Sequence, residues 1–284
     1  MTNTEKTTVD ASSQENHMHG LERIKLDITD ISKPFPNLMR LKGTIDPSKP
    51  DLWEQPNVAV RIEIGENEGK NKIYRIYTIR SFDKKSKTVE LDFVIHEGHS
   101  PAKEWLKSLK AGSYTYIIGP REQFFPHEHK NGKLKFFADE TAIPALYSIL
   151  HHWPENAEAD MFIECPSPLS IRELPEISGV KKHVYIRKPH EHAGTTGFLT
   201  KSAEKIKEAK NCHIWIACER EEARAIRKHF MENCGVNKKD IKAIGYWRLG
   251  MTSSEIEKIR GKYYGELLAK GKSESDFDEF DMPA

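Results

Sequence analysis

Hydrophobic and polar residues alternate along most of the first half of the chain. Residues 72–80 show this clearly, because Lys-Ile-Tyr-Arg-Ile-Tyr-Thr-Ile-Arg contains no Gly or Pro and is rich in strand-favouring residues. The same period of two predicts five other strands, at 21–31, 38–45, 58–64, 88–95 and 114–118. Pro34 and Pro36 are expected to end the first of them. Strands at this spacing, joined by polar turns, indicate a small antiparallel barrel.

The pattern changes to alternating strands and helices in the second half of the chain. Short apolar segments predict strands at 134–137, 160–165, 182–186, 213–217 and 240–246. Helical patterns occur at 143–152, 200–209, 221–233 and 254–268. The segment 213–217, His-Ile-Trp-Ile-Ala, has the unbroken apolar character of a strand that is buried on both faces. This alternation predicts an α/β domain with a parallel sheet of the nucleotide-binding kind.

These patterns divide the chain into two domains and two tails. The polar residues 1–20 predict a disordered tail, and residues 269–284 predict a frayed acidic tail. We expect the barrel domain to occupy residues 21–137 and the α/β domain to occupy residues 138–268.

Composition narrows the class of protein. The charges of the 44 basic and 43 acidic residues nearly cancel, so no overall electrostatic field attracts nucleic acid or an anionic membrane. No segment approaches the roughly 20 apolar residues of a membrane-spanning helix. The four cysteines form no CxxC pair, so reduced thiols are expected rather than a zinc or iron–sulfur site. We therefore expect a cytoplasmic monomer without a resident metal.

The strand at 72–80 carries side chains that suit a ligand. Arg75 and Arg80 offer planar guanidinium groups to phosphate, Thr78 offers a hydroxyl, and Tyr77 offers a flat surface to a ring. The strand therefore fits either a flavin or nucleotide cradle, or a half-exposed strand whose arginines reach solvent. Because the two arginines fall on opposite faces, at most one is expected to point into a shared core.

The start of a predicted helix at Ser100 is a second feature of this kind. Ser100 can cap the helix, Pro101 takes its first position, and His96-Glu97-Gly98-His99 precedes it. A glycine-containing loop that leads into a helix N-terminus presents backbone N–H groups to an anion. By contrast, His127 and His129 lie in a charged segment that we expect to be an exposed loop, and no third metal ligand is evident near them.

In this order and spacing, the residues resemble the siderophore-interacting protein family, flavin-containing ferric siderophore reductases related to ferredoxin reductases. The resemblance covers residues 21–268. It rests on Arg75-x-Tyr77-Thr78-x-Arg80, Asp92 to His96 with Gly98, Pro101, Ala102 and Trp105, Gly119-Pro120, Asp139-Glu140-Thr141-Ala142-Ile143-Pro144-Ala145 and Gly245-Tyr246-Trp247-Arg248-x-Gly250. It implies a barrel of the flavin-reductase type with Greek-key connections, followed by a domain that resembles NAD(P)-binding domains.

The resemblance also implies that FAD binds noncovalently to the barrel. Arg75, Tyr77, Thr78 and Arg80 would hold the isoalloxazine and pyrophosphate region. The other implied cofactor-binding residues come from the loop, the helix start and the second domain: Val94, His96, Gly98, Ser100, Pro101, Ala102, Trp105, Thr141 and Ala142. Since the flavin carries the chemistry, no catalytic acid, base or nucleophile of the chain is required.

Two residues depart from the family pattern. Ser100 replaces a usual glycine at the helix start, where it can still cap the helix. Cys218 replaces a usual glycine after the strand 213–217, where its side chain is expected to crowd an approaching dinucleotide.

The implied reaction is the reduction of a ferric siderophore of catecholate, hydroxamate or mixed type. Hard oxygen ligands hold ferric ion far more strongly than ferrous ion, so one electron releases the iron. NADH, NADPH or ferredoxin would supply the electrons. Many ferric siderophores are anionic, so a basic patch is expected, and the candidates are Arg40, Lys42, Arg121, Arg248 and Lys262. Arg121 and Lys262 are favoured, because the family places basic residues after the Gly-Pro turn and on the last helix.

Two other functions stay open on the sequence. One is a ferredoxin- or flavodoxin-NAD(P)H reductase, for which the chain lacks an obvious terminal aromatic residue to stack on the flavin. The other is a cytosolic siderophore-binding protein with little reductase activity.

Overall fold

A closed antiparallel barrel forms the first half of the chain in the computed structural model, which describes residues 21–66, 69–95, 100–121, 133–273, 278, 280 and 282. Its strands are β1 (Glu22–Phe35), β2 (Leu38–Thr44), β3 (Ala59–Glu66), β4 (Lys72–Asp83), β5 (Thr88–Val94) and β6 (Tyr114–Arg121). They pair in the order β1-β2-β5-β4-β3-β6, and β6 returns to β1. The barrel predicted from the period-two pattern is confirmed. The predicted tail at 1–20, the loop with His96 and Gly98, and the segment with His127 and His129 lie outside the described residues.

Alternating apolar residues fill the barrel. Leu26, Leu41, Ile62 and Leu91 are fully buried in one core cluster, so the inward face of each strand excludes water. Two helices accompany the barrel, α1 (Pro50–Trp53) and α2 (Pro101–Ser108). Trp53 of α1 lies in the same cluster.

Strand β1 is longer than the sequence pattern predicts. Pro34 does not end the strand, because the pairing of β1 with β2 shifts register between Ser32 and Phe35. A proline without an N–H group is tolerated at such an irregularity.

A five-stranded parallel sheet forms the second half of the chain. Its strands are β7 (Lys133–Ala138), β8 (Ala159–Cys165), β9 (Val180–Ile186), β10 (Cys212–Glu219) and β11 (Ile241–Trp247), in the order β11-β10-β7-β8-β9. Its helices are α3 (Ile143–His151), α4 (Phe198–Glu204), α5 (Arg220–Glu232) and α6 (Ser253–Ala269). Trp215 and Ile216 are both fully buried, in the two different core clusters of this domain, as the apolar run predicts. No helix in the described part of the chain is long and apolar enough to cross a membrane.

Two predicted boundaries are corrected by the sheet and the tail. Strand β7 lies at the centre of the parallel sheet, so the domain boundary falls before residue 133 and not after residue 137. In the predicted acidic tail, Asp278 accepts a hydrogen bond from Arg227 of α5 at 2.5 Å, and Phe280 is buried. These two tail residues are therefore packed on the α/β domain rather than frayed.

An ion-pair network joins the barrel to the α/β domain. Arg40 on β2 donates to both oxygens of Asp92 on β5, at 2.7 and 2.9 Å. Arg40 and Arg80 both donate to Glu173 of the second domain, at 2.7 and 2.6 Å. The guanidinium of Arg80 also lies 3.4 Å over the ring of Tyr147 on α3. These contacts hold the second half of β4 against the parallel-sheet domain.

Candidate functional site

Strand β4 runs along the junction of the two domains, and both of its arginines contact the second domain. Arg75 donates to the hydroxyl of Ser254 at 2.7 Å and lies 3.6 Å from the carboxylate of Glu257, both on α6. Arg80 contacts α3 and Glu173 as described above. Arg75 is 7% exposed and Arg80 is 3% exposed. Both arginines are therefore buried, but different parts of the second domain cover them, so they do not share one core.

An aromatic cluster lies beside the middle of β4. The ring of Tyr77 lies 4.3 Å from that of Phe93, which lies 5.8 Å from that of Trp105. Burial raises the pKa of the Tyr77 hydroxyl to about 12, so this group stays protonated at neutral pH. The rings are tilted against one another and pack Tyr77 of β4 onto the barrel core.

Helix α2 begins as the sequence predicts. The Ser100 hydroxyl accepts a hydrogen bond from the backbone N–H of Lys103 at 3.2 Å, and Pro101 takes the first helical position. The replacement of the usual glycine therefore leaves a capped helix start. Ala102 and Trp105 of this helix pack against the barrel core.

The second domain brings a hydroxyl close to Thr78. The Thr78 and Tyr246 hydroxyl oxygens lie 3.5 Å apart, which joins β4 to the end of β11. Burial raises the pKa of Tyr246 to about 12. Thr141 and Ala142 lie in a short 3-10 turn between β7 and α3. The sequence motif contained Tyr246, but only the structure shows that its side chain reaches the predicted cradle.

A small cleft, partly open to solvent, lies between the β1–β2 hairpin and the start of α3. Its apolar walls are formed by Phe35, Leu38, Val94, Ile143 and Pro144. Two buried polar atoms at the cleft, Arg80 Nε and Ser170 Oγ, have no hydrogen-bond partner among the described residues. Buried polar groups normally find a partner, so these atoms suit a ligand that has apolar faces and polar edges. These apolar and polar groups are of the kinds that a flavin ring requires, and two of the predicted cofactor-binding residues, Arg80 and Val94, line the cleft.

The five predicted substrate-binding cations do not form a single patch. Arg40 belongs to the domain junction, and Arg248 lies 3.6 Å from a carboxylate of α5. Lys42 lies 3.9 Å from a carboxylate of β5, and the Lys262 side chain on α6 is 81% exposed.

Arg121 instead has other arginines near it. The pairing of β3 with β6 aligns Ala59 with Arg121, which places Arg61 and Arg121 on neighbouring strands. Burial and then the charge of Arg121 lower the pKa of the Arg61 guanidinium, the carboxylate of Glu257 raises it, and the charge of Arg260 lowers it further. We call Arg61, Arg121 and Arg260 the arginine group. Sequence reasoning missed Arg61 and Arg260, because no local motif marks them.

Buried carboxylates lie at the carboxyl ends of the parallel strands. Asp139 follows β7 and accepts hydrogen bonds from Trp247 Nε1 at 2.7 Å and from the backbone N–H of Thr141 at 2.9 Å. Burial, with the neighbouring charge of Glu140, raises the pKa of Asp139 to about 7. Cys218 is fully buried in a core cluster, so the expectation that its side chain crowds a dinucleotide is wrong.

The raised pKa of Asp139 predicts how stability changes with pH. Between about pH 4 and about pH 7 the folded chain binds more protons at this group than the unfolded chain, so the free energy of unfolding should fall as pH rises. Asp139→Asn should flatten this part of the profile in urea unfolding. Asp83→Asn is the control, because backbone N–H groups lower the pKa of Asp83 and move its titration below this window. An unchanged slope in the Asp139 variant would contradict the assignment.

The antiparallel barrel followed by a parallel sheet is the fold of the ferredoxin reductases. The ferredoxin-NADP+ reductase from Plasmodium falciparum shares the fold alone, with a TM-score of 0.60 and 15% identity over 79% of this chain and 97% of that one. Two family models match, the siderophore-interacting FAD-binding domain at residues 45–124 and the siderophore-interacting protein at residues 132–250. The chain belongs to the siderophore-interacting protein family, and it carries that family's FAD-binding domain.

Similar proteins support this membership along nearly the whole chain. The sequence is 40% identical over 273 residues to the ferric acinetobactin reductase of Acinetobacter baumannii, which covers 96% of this chain and 95% of that protein. The solved structure of the siderophore-interacting protein from Acinetobacter baumannii matches with a TM-score of 0.83 and 40% identity. That match covers 88% of this chain and 99% of the other.

Proposed function

We propose that this chain reduces ferric siderophores in the cytoplasm, using FAD bound at the junction of its two domains. The cleft beside β4, with its apolar walls and two buried polar atoms that have no hydrogen-bond partner in the described part of the chain, carries the proposal. A relative with 40% identity is named a ferric acinetobactin reductase, which supports the same reaction class. When bound, FAD supplies the one-electron chemistry that converts ferric to ferrous ion. The hard oxygen ligands of the siderophore then hold the iron less strongly.

The residues of the chain bind and orient the cofactor in this proposal. Arg75 offers its guanidinium to the anionic pyrophosphate in place of its contacts with α6, together with the N-terminus of α2. The Tyr77 cluster supports the ring. The hydroxyls of Thr78 and Tyr246, and the Nε of Arg80, offer hydrogen bonds to its polar edges.

The arginine group favours an anionic ferric siderophore. Three guanidinium groups lie near one another, with Arg260 on α6 itself, and after burial their mutual repulsion contributes to the lowered pKa of Arg61, against the opposing charge of Glu257. An anionic ligand would relieve this repulsion, and Arg side chains bind carboxylate and catecholate oxygens with two hydrogen bonds. We propose that these three residues, rather than the dispersed cations, contact the substrate.

Replacing Arg121 by Ala should raise the KM for an anionic ferric catecholate about tenfold. The loss of one charge-assisted hydrogen bond costs about 1.5 kcal/mol, which corresponds to that factor. Lys262→Ala is the matched control on α6 and should change KM less than about twofold, because its side chain is 81% exposed. FAD content should be unchanged in both variants. Equal effects of the two substitutions would contradict the assignment.

Ferrous iron formation under anaerobic conditions tests the proposed function. FAD-loaded protein should produce ferrous ion, trapped by a chelator, from a ferric catecholate or hydroxamate siderophore, and FAD-free protein should not. NADH, NADPH and reduced ferredoxin are tested separately as electron donors. We propose a nicotinamide donor, because a parallel sheet whose strand order reverses in this way commonly binds a dinucleotide. Siderophore binding without ferrous ion in every arm would favour a siderophore-binding protein instead.

A further inference from the structure

A segment of the chain itself crosses the carboxyl-terminal edge of the parallel sheet. In open parallel sheets a dinucleotide binds at this edge, where the strand order reverses. Here the reversal lies between β7 and β10, because β7 has β8 on one side and β10 on the other. The connection between β9 and α4 consists of residues 187–197, which we call the strap. It begins at β9, the strand at one edge of the sheet.

Both ends of the strap are fixed to β7 and β8 by polar contacts. Arg187 donates to the two oxygens of Glu140, which follows β7, at 2.6 and 2.7 Å. It also donates to Glu164 on β8 at 3.2 Å. Near the other end of the strap, the hydroxyl of Thr196 donates to the same Glu164.

The middle of the strap lies against the ends of β10 and β11. A Cβ atom added to Gly194 would lie 2.9 Å from Glu219 Cγ and 3.0 Å from Trp247 Cη2. The backbone at Gly194 also has a φ of +72°, which favours glycine. The strap therefore reaches from β9 to the far side of the sheet and covers the point where the strand order reverses.

Backbone N–H groups at this edge of the sheet already donate hydrogen bonds to carboxylates of the chain. Asp139 accepts from the N–H of Thr141 at 2.9 Å, at the turn before α3. Glu219 accepts from the N–H groups of Glu221 and Glu222, at the start of α5, at 2.6 and 3.0 Å. Helix starts of this kind hold the pyrophosphate of a dinucleotide in related folds. In the present arrangement these N–H groups already donate to carboxylates of the chain, and the negative charges of those carboxylates would repel a pyrophosphate.

We infer that the strap is a lid over the electron-donor crevice, and that NADH or NADPH binds there only when the strap lifts. The contacts of Arg187 and Thr196 with the two carboxylates at β7 and β8 act as its latch. This inference rests on the proposed function, because it concerns how electrons reach the bound FAD. The apparent affinity for the dinucleotide is then reduced by the fraction of time that the lid is closed.

Gly194→Ala tests the lid, because its Cβ atom prevents the strap from seating on Glu219. Flavin bleaching by limiting NADH or NADPH in anaerobic stopped flow should be about tenfold faster than in the unmodified protein. Reduction by dithionite should be unchanged, since this small reductant needs no dinucleotide crevice. Gly235→Ala is the control: it also has a positive φ, of +65°, but nothing lies within 4 Å of its added Cβ. Hydrogen exchange of the strap amides should speed up in the Gly194 variant alone.

The outcomes separate the lid from the proposed function. Faster strap exchange without faster bleaching by either dinucleotide would overturn the lid, as would unchanged exchange in the Gly194 variant. Failure of dithionite-reduced protein to release ferrous ion would instead overturn the proposed function. Thr196→Val is a second variant, which removes the latch contact with Glu164 and the acceptor of the Phe198 N–H group, and it should shift exchange and bleaching in the same direction.

Discussion

Replacing Arg187 by Met should lower the free energy of unfolding by about 3 to 5 kcal/mol, the cost of leaving buried carboxylates without their charged partner. The guanidinium of Arg187 satisfies both oxygens of Glu140 and one of Glu164. Both carboxylate side chains are almost fully buried, at 4% and 2% exposure. Two negative charges would therefore remain in a region that excludes water.

Urea unfolding measures this effect against a surface pair. Arg23→Met is the control, because Arg23 is exposed and its contact with Glu63 should be worth less than about 1 kcal/mol. The deficit of the Arg187 variant should shrink as pH falls, since burial already raises the pKa of Glu164 and protonation removes the unpaired charge. A loss below about 1 kcal/mol, or a deficit that grows toward acidic pH, would contradict the account of this cluster.

Replacing Arg75 by Ala should weaken FAD binding about 100-fold. Two charge-assisted hydrogen bonds to the pyrophosphate, each worth about 1.5 kcal/mol, correspond to that factor. Titration of FAD-free protein, followed by flavin fluorescence, gives the dissociation constant. Arg23→Ala on the same barrel should bind FAD normally. Affinity within about threefold of the unmodified protein would refute the role of Arg75.

The stability of FAD-free protein separates binding from folding in this variant. Arg75 holds α6 through Ser254 and Glu257, so the substitution also loosens that helix. Thermal unfolding without FAD reports the loss of those contacts. The loss of FAD affinity should exceed the change in unfolding free energy, because the contacts with α6 are replaced when the cofactor binds.

The parts of the fold that follow from local pattern were predictable from the sequence. Alternation in the first half fixes which residues fill the barrel, and strand–helix alternation fixes the parallel sheet. The capped start of α2 was also predictable, because a cap depends on residues three positions apart. Strand β7 was assigned to the wrong side of the domain boundary, since an apolar strand does not show which sheet it joins.

The parts of the site that depend on distant residues were not predictable. Arg61 and Arg121 come together through the register of β3 with β6, and Arg260 comes from a helix near the end of the chain. The close packing of Gly194 on Glu219 likewise joins distant segments. The sequence also did not show that the Cys218 side chain points into the core. Because β10 is apolar on both faces, its pattern does not show which way a side chain points.

A single turnover without any external donor tests the central claim most directly. FAD-loaded protein is reduced chemically under anaerobic conditions and then mixed with an anionic ferric catecholate and a ferrous chelator. The account predicts that the absorbance of oxidised flavin returns on mixing and that roughly two ferrous ions form per FAD, one for each electron. Binding of the siderophore while the flavin stays reduced and no ferrous ion forms would contradict it.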